Sequence, residues 1–221
     1  MPIIYSIVFF LLAAAGTLRK HIHIGLSTGV IKTLPVLFLV LCAFTHTRKR
    51  FGFWVVLGVG LGAMGDYGLA QPGRIWDGIG VLAFLLGHVA YSVAFCKDLK
   101  WTAGRGIVIG LTLLFMVAVL AAYCIKNTLV GQGEVVIPVM IYVTVMAVMM
   151  TLAVLHQSPT WLIAAGAVFF VISDAHLAVN HTILNKSNMW LTYSSHFTYY
   201  FGQYLLVAGA AYETRHYHPK A

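Results

Sequence analysis

Apolar residues fill this chain in long, nearly unbroken runs separated by short polar stretches. Runs of membrane-spanning length fall at about 3–18, 28–45, 52–70, 75–96, 106–125, 135–155, 160–181 and 191–212. About 20 apolar residues rise about 30 Å as a helix, the thickness of a bilayer's hydrocarbon core. The pattern predicts an all-α integral membrane protein, a bundle of eight transmembrane helices. The loops are short, so residues 1–221 should form one domain with no soluble domain. Strands are excluded, because the runs are continuous and not alternations of about ten residues. The first run is expected to be a helix and not a cleaved signal. No cation precedes Ile3, whereas Arg19 and Lys20 follow the run, the reverse of signal-peptide order.

Composition agrees. The chain is 60% hydrophobic and 9% charged, against about 25% charged for soluble domains. The net charge of +8 does not point to nucleic acid, because the basic residues lie between apolar runs, where they anchor and orient helices. Eight spans put both termini on one face. That face carries eight basic residues: Arg48, Lys49, Arg50, Lys97, Lys100, Arg105, Arg215 and Lys220. The other carries five: Arg19, Lys20, Arg74, Lys126 and Lys186. The positive-inside rule then places the termini in the cytoplasm, at a bacterial inner membrane or the endoplasmic reticulum. Cys42, Cys96 and Cys124 have no metal-like or disulfide spacing and read as small buried apolar residues.

Two acidic residues break the apolar pattern. Asp66 lies in Gly65-Asp66-Tyr67-Gly68-Leu69-Ala70 and Asp174 in Ser173-Asp174-Ala175-His176-Leu177-Ala178. Both stretches read small residue, Asp, two residues, Leu, Ala. The chain has only six acidic residues, and a carboxylate at the centre of a membrane helix costs about 3 kcal/mol. Such residues are functional candidates, although an Asp can also mark a helix end or pair with a structural cation. The two lie 108 residues and four helices apart, which suggests a parallel 4+4 repeat.

Other polar positions converge near the same depth. Lys32 sits a turn into the second run, as a counter-charge for one Asp, a partner for a lipid phosphate, or a side chain snorkelling to the headgroups. The eighth run places His196, Tyr199 or Tyr200, and Gln203 on one stripe, which should face the bundle. The fourth carries Phe84, His88, Tyr91 and Phe95, and the sixth carries Pro138 and Tyr142. No Gly-x-Ser-x-Gly elbow or His-Glu-x-x-His helix is present. His176 and His181 follow Asp174 without a standard zinc spacing, so neither a metal nor another cofactor is expected.

Several short motifs then coincide in order: Lys32-Thr33-Leu34-Pro35, Gly65-Asp66, Gly87-His88 with Tyr91, Pro138 with Tyr142, Ser173-Asp174 with Leu177-Ala178, and Tyr199-Tyr200 with Gln203. Together they resemble the YhhN-type lysoplasmalogenase family over nearly the whole chain. The resemblance implies a multi-pass hydrolase that cleaves the vinyl ether bond of lysoplasmalogen, releasing a fatty aldehyde and glycerophosphocholine or glycerophosphoethanolamine. It implies that Asp66 and Asp174 are the catalytic pair. The expected substrate-binding set is Lys32, Tyr142, His196, Tyr200, Gln203, His88, Tyr91 and Ser173. The expected partners are the lysophospholipid and the bilayer. The rival class is a proton-coupled transporter, which also uses paired membrane carboxylates. A site of the first kind should place the two carboxyls across an interior cavity that opens toward the loop between the last two helices.

Overall fold

The computed structural model describes residues 2–18, 27–47, 49–180, 184 and 188–216. Among these, the apolar runs become eight α-helices. They are α1 (Ile3–Thr17), α2 (Thr28–His46), α3 (Lys49–Ala70), α4 (Arg74–Phe95), α5 (Ala103–Leu129), α6 (Val136–Leu155), α7 (Leu162–Ala178) and α8 (Met189–His216). Helices α2 to α6 are long and apolar enough to cross a membrane, while α1 and α7 are shorter apolar helices. Helix α8 has the length, at 28 residues, but a polar stripe lowers its mean hydropathy.

Local signals set several boundaries. Ser27 caps α2 by accepting from the Val30 amide at 3.3 Å, and Thr102 caps α5 by accepting from the Arg105 amide at 3.3 Å; both satisfy amides that lack a helical partner. Helix α5 runs longer than the apolar pattern suggested, reaching Leu129. Helix α7 stops at Ala178, where its last turn widens into a π-type turn at 179–180.

Helix pairs α3–α4 and α7–α8 pack along most of their length. Helix α2 lies against α3 and α8, and α6 against α4 and α7, so six helices close around a core. Helix α1 flanks α2 and α8, and α5 flanks α6 and α7. The α7–α8 contact depends on two glycines. A Cβ on Gly166 would lie 2.8 Å from the Gly202 carbonyl oxygen, and one on Gly202 would lie 2.9 Å from that of Gly166. Such backbone approach is how helices pack in an apolar medium.

The core includes Phe9, Leu39, Phe95, Met149, Met150, Phe170 and Leu206, all buried. Large apolar side chains such as Leu111, Leu114 and Val117 of α5 are exposed, as expected of a surface facing lipid. Cys42 is buried and Cys124 half-buried, but Cys96 is exposed. The expectation of three buried cysteines holds at Cys42, is only half met at Cys124 and fails at Cys96, which follows the last residue of α4.

At the end of the bundle bearing the α6–α7 corner, buried His156 and Glu213 pair at 3.0 Å. His156 Nδ1 also donates to the Lys97 carbonyl at 2.9 Å. A carboxylate at one ring nitrogen and a carbonyl at the other both favour the protonated ring. This knot ties α8 to the α4–α5 and α6–α7 corners.

Candidate active site

Asp66 and Asp174 each sit four residues before the last residue of their helix, α3 and α7. They therefore lie near the same end of the bundle, opposite the His156–Glu213 knot. Their surroundings differ.

Asp66 is sealed, at 1% exposure. Its Oδ1 lies 3.1 Å from Lys32 Nζ, and its Oδ2 accepts from Tyr199 Oη at 2.7 Å. Lys32 therefore acts as a counter-charge within the bundle, its side chain only 12% exposed. The chain of contacts continues inward. Gln203 Nε2 lies 3.5 Å from Tyr199 Oη, and Tyr91 Oη donates to Gln203 Oε1 at 2.6 Å. Gly65 leaves room for this cluster, since a Cβ there would lie 2.6 Å from the Phe84 ring.

Asp174 is half-buried. Its Oδ2 accepts from Tyr142 Oη at 2.7 Å, and Tyr142 Oη lies 3.1 Å from His88 Nε2. Among the described residues no cation pairs with Asp174. Between the two hydrogen-bonded chains stands Phe170, buried, its ring 5.4 Å from Tyr199 and 4.9 Å from His88. Phe84 meets the Tyr199 ring edge-on at 5.8 Å.

Lys32, Tyr142, His88, Tyr91 and Gln203, all expected at the site, thus connect to one or other carboxyl. Three expected residues engage other groups. Tyr200 Oη donates to the Lys32 carbonyl at 2.7 Å. Gly16 of α1 allows that approach, because a Cβ there would lie 2.6 Å from Tyr200 Oη. Ser173 Oγ donates to the Ser195 carbonyl at 3.0 Å and Ser195 Oγ returns the bond at 3.2 Å, which locks α7 to α8. His196 Nδ1 donates to the Thr192 carbonyl of its own helix at 2.6 Å. His176 lies 3.2 Å from Ser194 Oγ, and His181 falls outside the described residues. Most of the α7–α8 loop does too, including 181–183 and 185–187, so the expected cavity mouth there lies outside them. Two cavities among the described residues lie elsewhere, one at the α6–α7 corner and one an apolar groove between α4 and α6.

Tyr199 was missing from the expected set, where Tyr200 stood. A signal for it exists. His88-x-x-Tyr91 recurs as His196-x-x-Tyr199 at an offset of 108 residues, the same offset that separates Asp66 from Asp174.

A model of the YhhN family matches residues 27–210. A protein of Mycobacterium bovis and one of Mycobacterium tuberculosis, each named lysoplasmalogenase, are 29% identical to this chain over 178 residues. The match covers 74% of this chain and 65% of each relative, so the chain spans just under two thirds of their length. No solved structure matches.

Proposed function

Because the chain belongs to the YhhN family, we propose that it is a multi-pass membrane hydrolase that cleaves the vinyl ether bond of lysoplasmalogens. The products are a fatty aldehyde and glycerophosphocholine or glycerophosphoethanolamine. The observation that carries the reading is the pair of aspartates at matching ends of α3 and α7, each bonded by a tyrosine, in a chain similar to proteins named for that activity. All eight helices span the membrane in this reading, with both termini cytoplasmic. The helix pairing supports a parallel 4+4 repeat: α2–α3 and α3–α4 in the first half mirror α6–α7 and α7–α8 in the second, and α2–α8 mirrors α6–α4.

Vinyl ether hydrolysis needs a proton on the outer alkene carbon. The resulting oxocarbenium ion takes up water, forms a hemiacetal and collapses to aldehyde and alcohol. One carboxylic acid and one carboxylate suffice, as in paired-carboxylate glycosidases. The two aspartates divide these roles by their partners. Asp66, beside Lys32, is the carboxylate whose charge steadies the cation. Asp174, hydrogen-bonded by neutral Tyr142 and reaching the molecular surface, carries the proton. After transfer, Asp174 takes a proton from the attacking water and so returns to its starting state. Tyr142 and His88 position Asp174, and Tyr199 with Gln203 position Asp66.

The purified protein in detergent should release aldehyde from lysoplasmalogen with no ion gradient. Neither a carrier nor a structural protein would do so. Intact lysoplasmalogen after prolonged incubation with folded protein would reject the reading.

A further inference from the structure

A second polar site lies at the opposite end of the bundle. A cavity of about 60 Å³ opens at the α6–α7 corner, lined by Arg105, His156, Ser158, Thr160 and Trp161. One water needs about 10–15 Å³ of such space, so the cavity exceeds a single water several-fold and admits a phosphate group. Arg105 is held in place. Its Nη1 donates to the Leu155 carbonyl at 2.6 Å and the Lys100 carbonyl at 3.0 Å, and its guanidinium sits 5.5 Å from the centre of the Trp161 ring. Among the described residues Nε and Nη2 have no acceptor.

Ser158 Oγ and Thr160 Oγ1 are enclosed by protein and, among the described residues, have no hydrogen-bond partner. Buried hydroxyls are normally satisfied, and leaving one unmet costs about 1–3 kcal/mol. Two such groups beside a fixed guanidinium form the donor set of an anion site, in the forked geometry that suits phosphate. Lys97 and Lys100 add positive charge to this face. The nearby acids are Asp98 and Glu213, and Glu213 is already engaged by His156. Trp101 and Trp161 are both exposed here, as aromatic side chains are at headgroup level.

We infer that this corner binds a phosphate group, either the headgroup phosphate of a membrane phospholipid or free phosphate, at a site separate from the aspartates. Asp174 lies twelve residues along α7 from Leu162, about 18 Å at 1.5 Å per residue. A lysoplasmalogen phosphate sits only a glycerol away from its vinyl ether. One substrate molecule therefore does not fill both sites, and the inference holds whether or not the proposed hydrolysis does.

The test is thermal unfolding of the full chain in maltoside micelles, titrated with phosphatidylglycerol in one arm and with inorganic phosphate in the other. Saturable stabilisation by the lipid alone identifies a headgroup site, and stabilisation by both identifies a general phosphate site. In either case Arg105→Gln should weaken binding at least about tenfold, from the loss of a charged hydrogen bond. Arg105 also braces two carbonyls, so Arg105→Gln could fail to fold. The double variant Ser158→Ala with Thr160→Val removes only unpartnered hydroxyls. It should unfold at or above the wild-type temperature without ligand, yet bind about tenfold more weakly. Asp66→Asn should bind as wild type does. No saturable stabilisation in either arm, or the same affinity in the double variant, would overturn the inference and leave a cavity holding water only.

Discussion

Asp66 and Asp174 occupy matching places near the ends of α3 and α7, yet their neighbourhoods are opposites. Asp66 is sealed and faces a lysine ammonium. Asp174 is half-buried, and among the described residues a tyrosine is its partner. Each also accepts a tyrosine hydroxyl at 2.7 Å, so the hydroxyl is not what separates them. The lysine is. A similar sequence motif was placed twice, and the surrounding helices gave one copy a fixed charge and left the other a neutral partner. That asymmetry is what a pair of carboxyls needs to act as acid and base.

The largest expected effect comes from removing either carboxyl. Asp66→Asn and Asp174→Asn should each reduce aldehyde release by about 10²–10⁴-fold, the usual scale for a lost acid or base. The double variant should be scarcely worse, because the pair acts as a unit. A single variant that keeps more than about a tenth of wild-type turnover would break the comparison at its root.

Removing the lysine tests why Asp66 is the fixed charge. Lys32→Met leaves a sealed carboxylate unpaired, which should cost about 3–5 kcal/mol of stability, measurable by thermal unfolding. Adding Asp66→Asn should restore most of that stability and none of the activity. Failure of this rescue would mean that Lys32 acts on something other than Asp66.

The tyrosines sharpen the contrast. Tyr142→Phe and Tyr199→Phe should each slow turnover about tenfold or more, the value of one hydrogen bond to a charged or reacting carboxyl. Tyr142→Phe should also displace the alkaline limb of the pH–rate profile, where the donor loses its proton, since it strips the hydrogen-bond partner of that donor. Tyr200→Phe should lower stability by only about 1 kcal/mol and leave kcat unchanged, because its hydroxyl bonds the Lys32 main chain.

The smallest effect lies at the far end of the bundle. His156 is held above the ordinary histidine value. Burial pulls it down, but the hydrogen bond and charge of Glu213 and the Lys97 carbonyl outweigh that. A raised histidine contributes stability that is full below its unfolded value of about 6.5 and is lost as pH rises through the folded value. The unfolding temperature should therefore fall as pH is raised above about 6.5, and His156→Gln should flatten that fall.

Much of this architecture was legible in the apolar runs, because long apolar helices have few other ways to bury their backbone. The helix starts and ends fell within a few residues of the runs. The candidate site was legible in part. Asp66, Asp174, Lys32, Tyr142, His88, Tyr91 and Gln203 stand out as polar residues in apolar helices, where polarity needs a reason. The choice between Tyr199 and Tyr200 was harder. Adjacent positions on a helix differ by about 100°, and both rings are buried, so burial does not tell them apart. The repeated His-x-x-Tyr spacing would have favoured Tyr199. The His156–Glu213 pair went unnoticed, because its members are 57 residues apart and lie at helix ends where neither breaks an apolar run.

The central claim is that Asp174 hands a proton to the outer alkene carbon while Asp66 steadies the cation. The direct measurement is the product of lysoplasmalogen hydrolysis in heavy water, with the aldehyde reduced as it forms. The wild-type product should carry one deuterium on the carbon beside the former carbonyl, and Asp174→Asn should form that product at less than about a tenth of the wild-type rate. Unlabelled aldehyde from the wild type, or labelled aldehyde from Asp174→Asn at the wild-type rate, would contradict it.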